Sequence, residues 1–142
     1  MKRRESLVRL KRFRVDELKR HMATLDGMRG DVGRKLTDLE DSIARERHRS
    51  NDSDLGRLAF PSFMKAMDTR RENLQATLLE IEREHSIAQN EFGQAYQDLK
   101  ALELANEQEA KRTAEAHLRK SHTRLEDLAL SRQLRKQALR HI

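Results

Sequence analysis

Six histidines, two closely spaced aspartates and three evenly spaced glycines are the residues of this 142-residue chain whose spacing could suggest chemistry. His21, His48, His85, His117, His122 and His141 are scattered, and His117 and His122 stand five apart, on different faces of any helix that carries them. They form no metal-ligand set. Asp52 and Asp54 begin like a calcium loop, but the sixth place is not glycine, and Phe63 stands where a bidentate glutamate is required. Gly27, Gly30 and Gly33 would suit a phosphate loop only after a strand; here they interrupt the outer faces of a helical pattern. There is no cysteine, which excludes disulfides and thiolate zinc sites and permits a reducing compartment. No catalytic centre, cofactor, metal or small-molecule substrate is expected, and the chain reads as a non-enzyme.

The elements that would position any side chain are equally constrained. Charged residues make up 38% and aromatics 4%, so little material remains for a globular core. The excess of Glu, Arg, Lys, Leu, Ala and Gln, with one proline and five glycines, belongs to long helices and not to sheets. The opening Met1-Lys2-Arg3-Arg4-Glu5 is basic but leads into no continuous apolar run, and no stretch approaches the roughly 20 apolar residues of a membrane span. A cytoplasmic location is expected.

Alternate steps of three and four residues from Val8 land on Lys11, Val15, Leu18, Met22, Leu25, Arg29, Val32, Leu36, Leu39 and Ile43, and nine of these eleven positions are apolar. The same walk from Phe60 lands on Met64, Met67, Arg71, Leu74, Leu78, Ile81, His85, Ala88, Phe92, Ala95, Leu99 and Leu102, eleven of thirteen apolar. A stripe held at 3.5 residues per turn over about five heptads is a coiled-coil seam, because a straight helix drifts off that register. Between the seams lie the turn formers Ser50 to Gly56, then Pro61-Ser62, where proline suits a first helical turn. Two seams joined by one break bury themselves best against each other.

The expected fold is therefore all-α: a long antiparallel two-helix coiled-coil hairpin with an overhanging C-terminal helix. Helix 1 should span about 5–48, the turn about 49–61 and helix 2 about 62–138. Ile43 should lie near Met64, and Val8 near Leu99 or Leu102, in a paired shaft on the order of 55 Å long. From about residue 105 helix 2 has no partner. There a second stripe appears as Leu118, Leu125, Leu128 and Leu139, with Leu130 and Leu134 beside it, either solvated or presented to a partner helix or groove.

Charge divides along the same lines. Residues 1–20 carry nine Lys/Arg against three Asp/Glu, and residues 105–142 carry nine against five, giving +6 and +4 and leaving −4 for residues 21–104 out of a total of +6. Folding the hairpin gathers both basic segments at one end, where Arg3, Arg4, Arg9, Arg12, Arg112 and Arg119 would meet an acidic partner surface. Arg29, Arg71, Lys11 and His85 interrupt the seams; such residues usually snorkel to water and sometimes fix the register, a structural role in either case. The three glycines lie in drift-tolerant exposed helix or form a hinge. Phe60, Phe63, Met64 and Met67 close the turn end, with Phe63 off the seam.

The length, the uneven hairpin, the opening Leu7-Val8-Arg9-Leu10-Lys11-Arg12-Phe13-Arg14-Val15-Asp16-Glu17, and the stretches Phe60-Pro61-Ser62-Phe63-Met64-Lys65-Ala66-Met67 and Arg70-Arg71-Glu72-Asn73-Leu74 resemble the flagellar export protein FliJ family. The resemblance implies a two-helix coiled coil similar to a rotary ATPase stalk, inserted in a hexameric export ATPase and touching the membrane-embedded export gate. Export chaperones are further partners, and the location would be the cytoplasmic face of the inner membrane at the flagellar base. Phe63, Met67 and Leu74 match the family's gate-contact places, whereas Ser42, Arg45 and Arg49 depart from its bulky apolar residues on helix 1. Two other functions stay open: a basic hairpin binding RNA or ribosomes, against which the scarcity of stacking aromatics weighs, and a coiled-coil scaffold.

Overall fold

The computed structural model describes residues 2–140 as two helices, α1 (Lys2–Ser50) and α2 (Asp54–Arg140), joined by Asn51, Asp52 and Ser53. Among the described residues there is no strand. His141 lies outside them. With 49 and 87 residues, the helices are about 74 Å and about 130 Å long at 1.5 Å per residue. Neither could hold such a length by propensity alone, so pairing must stabilise what it can reach.

The pairing follows the seams. Every seam position from Val8 to Ile43 and from Phe60 to Leu102 is buried or half-buried, and nearly all other positions are exposed. Val15, Leu18, Leu25, Val32, Leu39 and Ile43 of α1 and Ile81, Ala88 and Leu99 of α2 are fully buried. The central cluster is Leu25, Val32, Ile81 and Ala88, with Met22, Leu36, Leu74 and Leu78 packed on it. The register shows in the cross-helix pairs. Glu40 meets Arg71 and Asp26 meets His85, both with partner numbers adding to 111. Ile43 therefore sits nearer the level of Met67 than of Met64, and Val8 nearer Leu102 than Leu99.

The turn is shorter than the proline suggests. Ser53 caps α2, its Oγ accepting from the Gly56 amide at 3.0 Å, while the Arg57 amide donates to the Ser53 carbonyl at 3.1 Å. Helix 2 thus begins at Asp54 and not near residue 62, and α1 runs to Ser50. Pro61 lies inside α2 on an exposed position, so the carbonyl of Arg57, which loses its helical donor there, faces water. The tightness has a reason in Gly56. A Cβ there would stand 3.0 Å from the Ser50 Cα and 3.2 Å from its carbonyl oxygen, so any larger residue would push the two backbones apart by a few tenths of an ångström.

Gly27, Gly30 and Gly33 have no such role. A Cβ at Gly27 or Gly33 meets nothing within 4 Å, and one at Gly30 meets only the flexible end of Arg34 at 3.6 Å. All three sit in an unbroken helix without positive φ. Replacing all three by alanine should therefore raise the unfolding free energy by about 2–3 kcal/mol in chemical denaturation. An unchanged midpoint would show that this part of α1 gains nothing from added helix propensity.

Beyond Asn106 every described residue of α2 is exposed. Leu118, Leu125 and Leu128 share one side of this overhang, but Leu130 and Leu134 do not stand beside them. At 100° per residue they fall about 160° away, on nearly the opposite face.

Candidate partner-binding surfaces

Two ends of the rod carry the residues singled out by sequence. At the open end α1 is tied down by its own basic side chains. Arg4 pairs with Glu109, and Arg12 donates from Nε and Nη2 to Glu103 Oε1 at 3.3 and 3.2 Å. Lys100 Nζ approaches the other Glu103 oxygen at 3.3 Å. The hydrogen bond from Lys100 is the largest cause that holds the Glu103 carboxyl below its ordinary value; burial opposes it, and the bond from Arg12 and the charges of both cations add to the lowering. A depressed carboxyl contributes stability above its unfolded pKa and loses it as pH falls through the folded value, so the contact of Glu103 with Lys100 and Arg12 weakens in acid. Because the group is solvent-exposed, that contribution is small.

Arg119 Nη2 lies 3.9 Å from Glu115, within α2. Arg3, Arg9 and Arg112 form no ion pair among the described residues. Arg112 lines an open groove with Ala105, Gln108 and Thr113, and Arg4 lines another with Asn106, Ala110 and His117 where α1 runs out. Arg3, Arg4, Arg9, Arg12 and Arg112 thus gather around the last paired turns, and Arg119 stands two helical turns farther along the overhang. Sequence charge counts had placed these cations at one end. They could not show that Arg4 and Arg12 already satisfy carboxylates of helix 2.

At the turn end the three matched positions separate. Leu74 packs on the central cluster, and Met67 is a half-buried seam residue. Their covered sides are used within the hairpin. Phe63 is half-buried, with its ring 6.1 Å from that of Phe60, over which the Arg47 guanidinium sits at 5.8 Å. The side chains offered to solvent here are Leu55 and Leu58, 79% and 78% exposed. Reading residues 49–61 as a turn concealed them, since helical spacing is not looked for in a turn.

The polar seam residues are built into the shaft. Arg71 Nε reaches Glu40 at 2.6 Å and Nη1 reaches Asp68 at 2.9 Å. The hydrogen bond with Glu40 raises the guanidinium above its ordinary value despite partial desolvation. His85 Nε2 lies 3.2 Å from Asp26, which also faces Arg29 at 3.8 Å, and Arg29 Nε is buried without a hydrogen-bond partner. Among the described residues no cluster of three or more His, Cys, Asp or Glu is placed to hold a metal ion. No described helix is long and apolar enough to cross a membrane. Protein-family models, curated proteins and solved structures give no match to this chain.

Proposed function

We propose that this chain is a non-enzymatic stalk of the flagellar type III export apparatus. Its open end would seat in the hexameric export ATPase, and its turn end would reach the export gate at the cytoplasmic face of the inner membrane. The observation that carries this is the shape joined to its charge: one stiff, narrow hairpin with both basic segments at the same end. A charged tip suits a six-fold partner, because long-range attraction falls off softly with rotation, whereas close side-chain packing would trap one orientation. ATP chemistry would belong to the ring. The gate contact falls to Phe63 with the exposed Leu55 and Leu58, since Met67 and Leu74 hold the hairpin together. Export chaperones are a third class of partner.

The test reverses the tip. Replacing Arg3, Arg4, Arg9, Arg12, Arg112 and Arg119 by glutamate takes the formal charge from +6 to −6, two units at each of six sites. None of the six belongs to the apolar seam. Stimulation of the export ATPase should be lost, and wild-type stimulation should weaken with added salt. An unchanged effect from a variant of normal helicity would exclude the basic end as the coupling surface. Tight, steeply salt-dependent binding of wild type to RNA, with no effect on the ATPase, would replace the stalk by a nucleic-acid function.

A further inference from the structure

The overhang and the shaft are complementary, and we infer that two copies of this chain pair reciprocally, the leucine face of each overhang lying in the acidic flank of the other's hairpin. This stands independently of the export proposal.

The hairpin has two unlike flanks. Arg14 Nη2 reaches Glu91 at 3.4 Å across one of them, while Arg12 reaches Glu103 across the other. Heptad spacing assigns the rest. Leu7 and Met28 stand one heptad before and two after Arg14, and Glu84 and Asp98 stand one heptad either side of Glu91, with Ile87 between Glu84 and Glu91. Leu7, Met28 and Ile87 are 42%, 44% and 53% exposed, an unusual allowance for positions so near a seam. Around Glu84, Glu91 and Asp98 carboxylates outnumber the one arginine of this flank, Arg14, while its other cations, Lys35, Arg49 and Arg70, lie toward the turn; Glu84 has no cation of its own chain among the described residues. The Arg12 flank instead mixes both signs.

The overhang supplies the opposite. Leu118, Leu125 and Leu128 are each at least 60% exposed and share a face. At 100° per residue, Arg124, Arg132, Arg135 and Lys136 lie within a quarter turn of that face, whereas Glu115, Glu126 and Asp127 lie outside it. Two overhangs laid side by side in parallel would set Arg132 and Arg135 against their own copies. Overhang on shaft matches leucine to Ile87 and Met28, and arginine to Glu84 and Glu91.

Only an antiparallel, two-fold arrangement lets both overhangs be used at once. With Leu125 opposite the partner's Ile87, each overhang lies beside the other's shaft and the contact closes without propagating. An overhang about 45 Å long, covering a strip about 10 Å wide, would bury on the order of 1,800 Å² over the two sites, the size of a stable dimer.

Light scattering and sedimentation equilibrium on the full chain at low salt should give a dimer whose dissociation constant rises at least tenfold in Leu125→Glu/Leu128→Glu, with helicity retained. Glu84→Arg/Glu91→Arg should weaken it similarly, and adding Arg124→Glu/Arg132→Glu to that variant, the cations nearest Glu91 and Glu84 in this register, should restore it. Ile87→Cys with Leu125→Cys should give a disulfide between chains. A monomer at all concentrations, or a dimer indifferent to the leucine changes, overturns the inference, and so does a failed charge exchange. None of these outcomes bears on stimulation of an ATPase.

Discussion

Leu25→Ala should lower the unfolding free energy by about 3–4 kcal/mol, the largest loss from any single truncation in the chain. Leu25 is 2% exposed in the cluster where, among the described residues, fully buried side chains of both helices meet, with Val32, Ile81 and Ala88 beside it. A small change at an exposed site gives the contrast: Leu130→Ala should shift stability by under about 0.5 kcal/mol. Urea denaturation followed by circular dichroism measures both. A Leu25→Ala loss below about 1 kcal/mol would mean that the shaft is not packed around this layer.

The second large effect is in amide exchange. At concentrations low enough to keep the chain monomeric, amides of residues 107–140 should exchange on the order of a hundredfold or more faster than those of residues 74–99. Both segments are helical and belong to one continuous element, yet the first is exposed throughout and the second is held by the seam. Without a packed face, a helix of this length is only marginally stable in water. Equal protection in a proven monomer would require a packing partner for the overhang within the same chain. Slow exchange that appears only as concentration rises would instead favour the reciprocal pair.

The seam was legible because coiled-coil burial depends on spacing, and spacing is a property of sequence. Positions such as Leu18, Val32 and Leu99 could be named as core from the heptad walk alone, and the mismatch in helix lengths followed from where the walk ends. The turn was not legible in the same way. Pro61 favours a first helical turn, but the Ser53 cap and the contact between Ser50 and Gly56 favour a start eight residues earlier, and a contact between two backbones leaves no periodic mark. Misplacing the start hid the exposed Leu55 and Leu58. The candidate contact residues fared unevenly for a related reason. Counting charge located the cationic end, but whether Arg12 is free depends on Glu103, which is distant in sequence and adjacent only once the register is known. Met67 and Leu74 are matched only through the resemblance, while the heptad walk already sets both on the seam, where they are half-buried.

The length of α2 also governs how this molecule travels through solution. A straight rod of about 130 Å has a radius of gyration of about 37 Å, against about 14 Å for a compact domain with the same number of residues. Tumbling end over end, it drags far more solvent than its 16.7 kDa implies and should leave a sizing column well ahead of globular standards of equal mass. A single rod can therefore pass for an assembly by its friction alone, and only a method that weighs the particle tells one rod from two lying side by side.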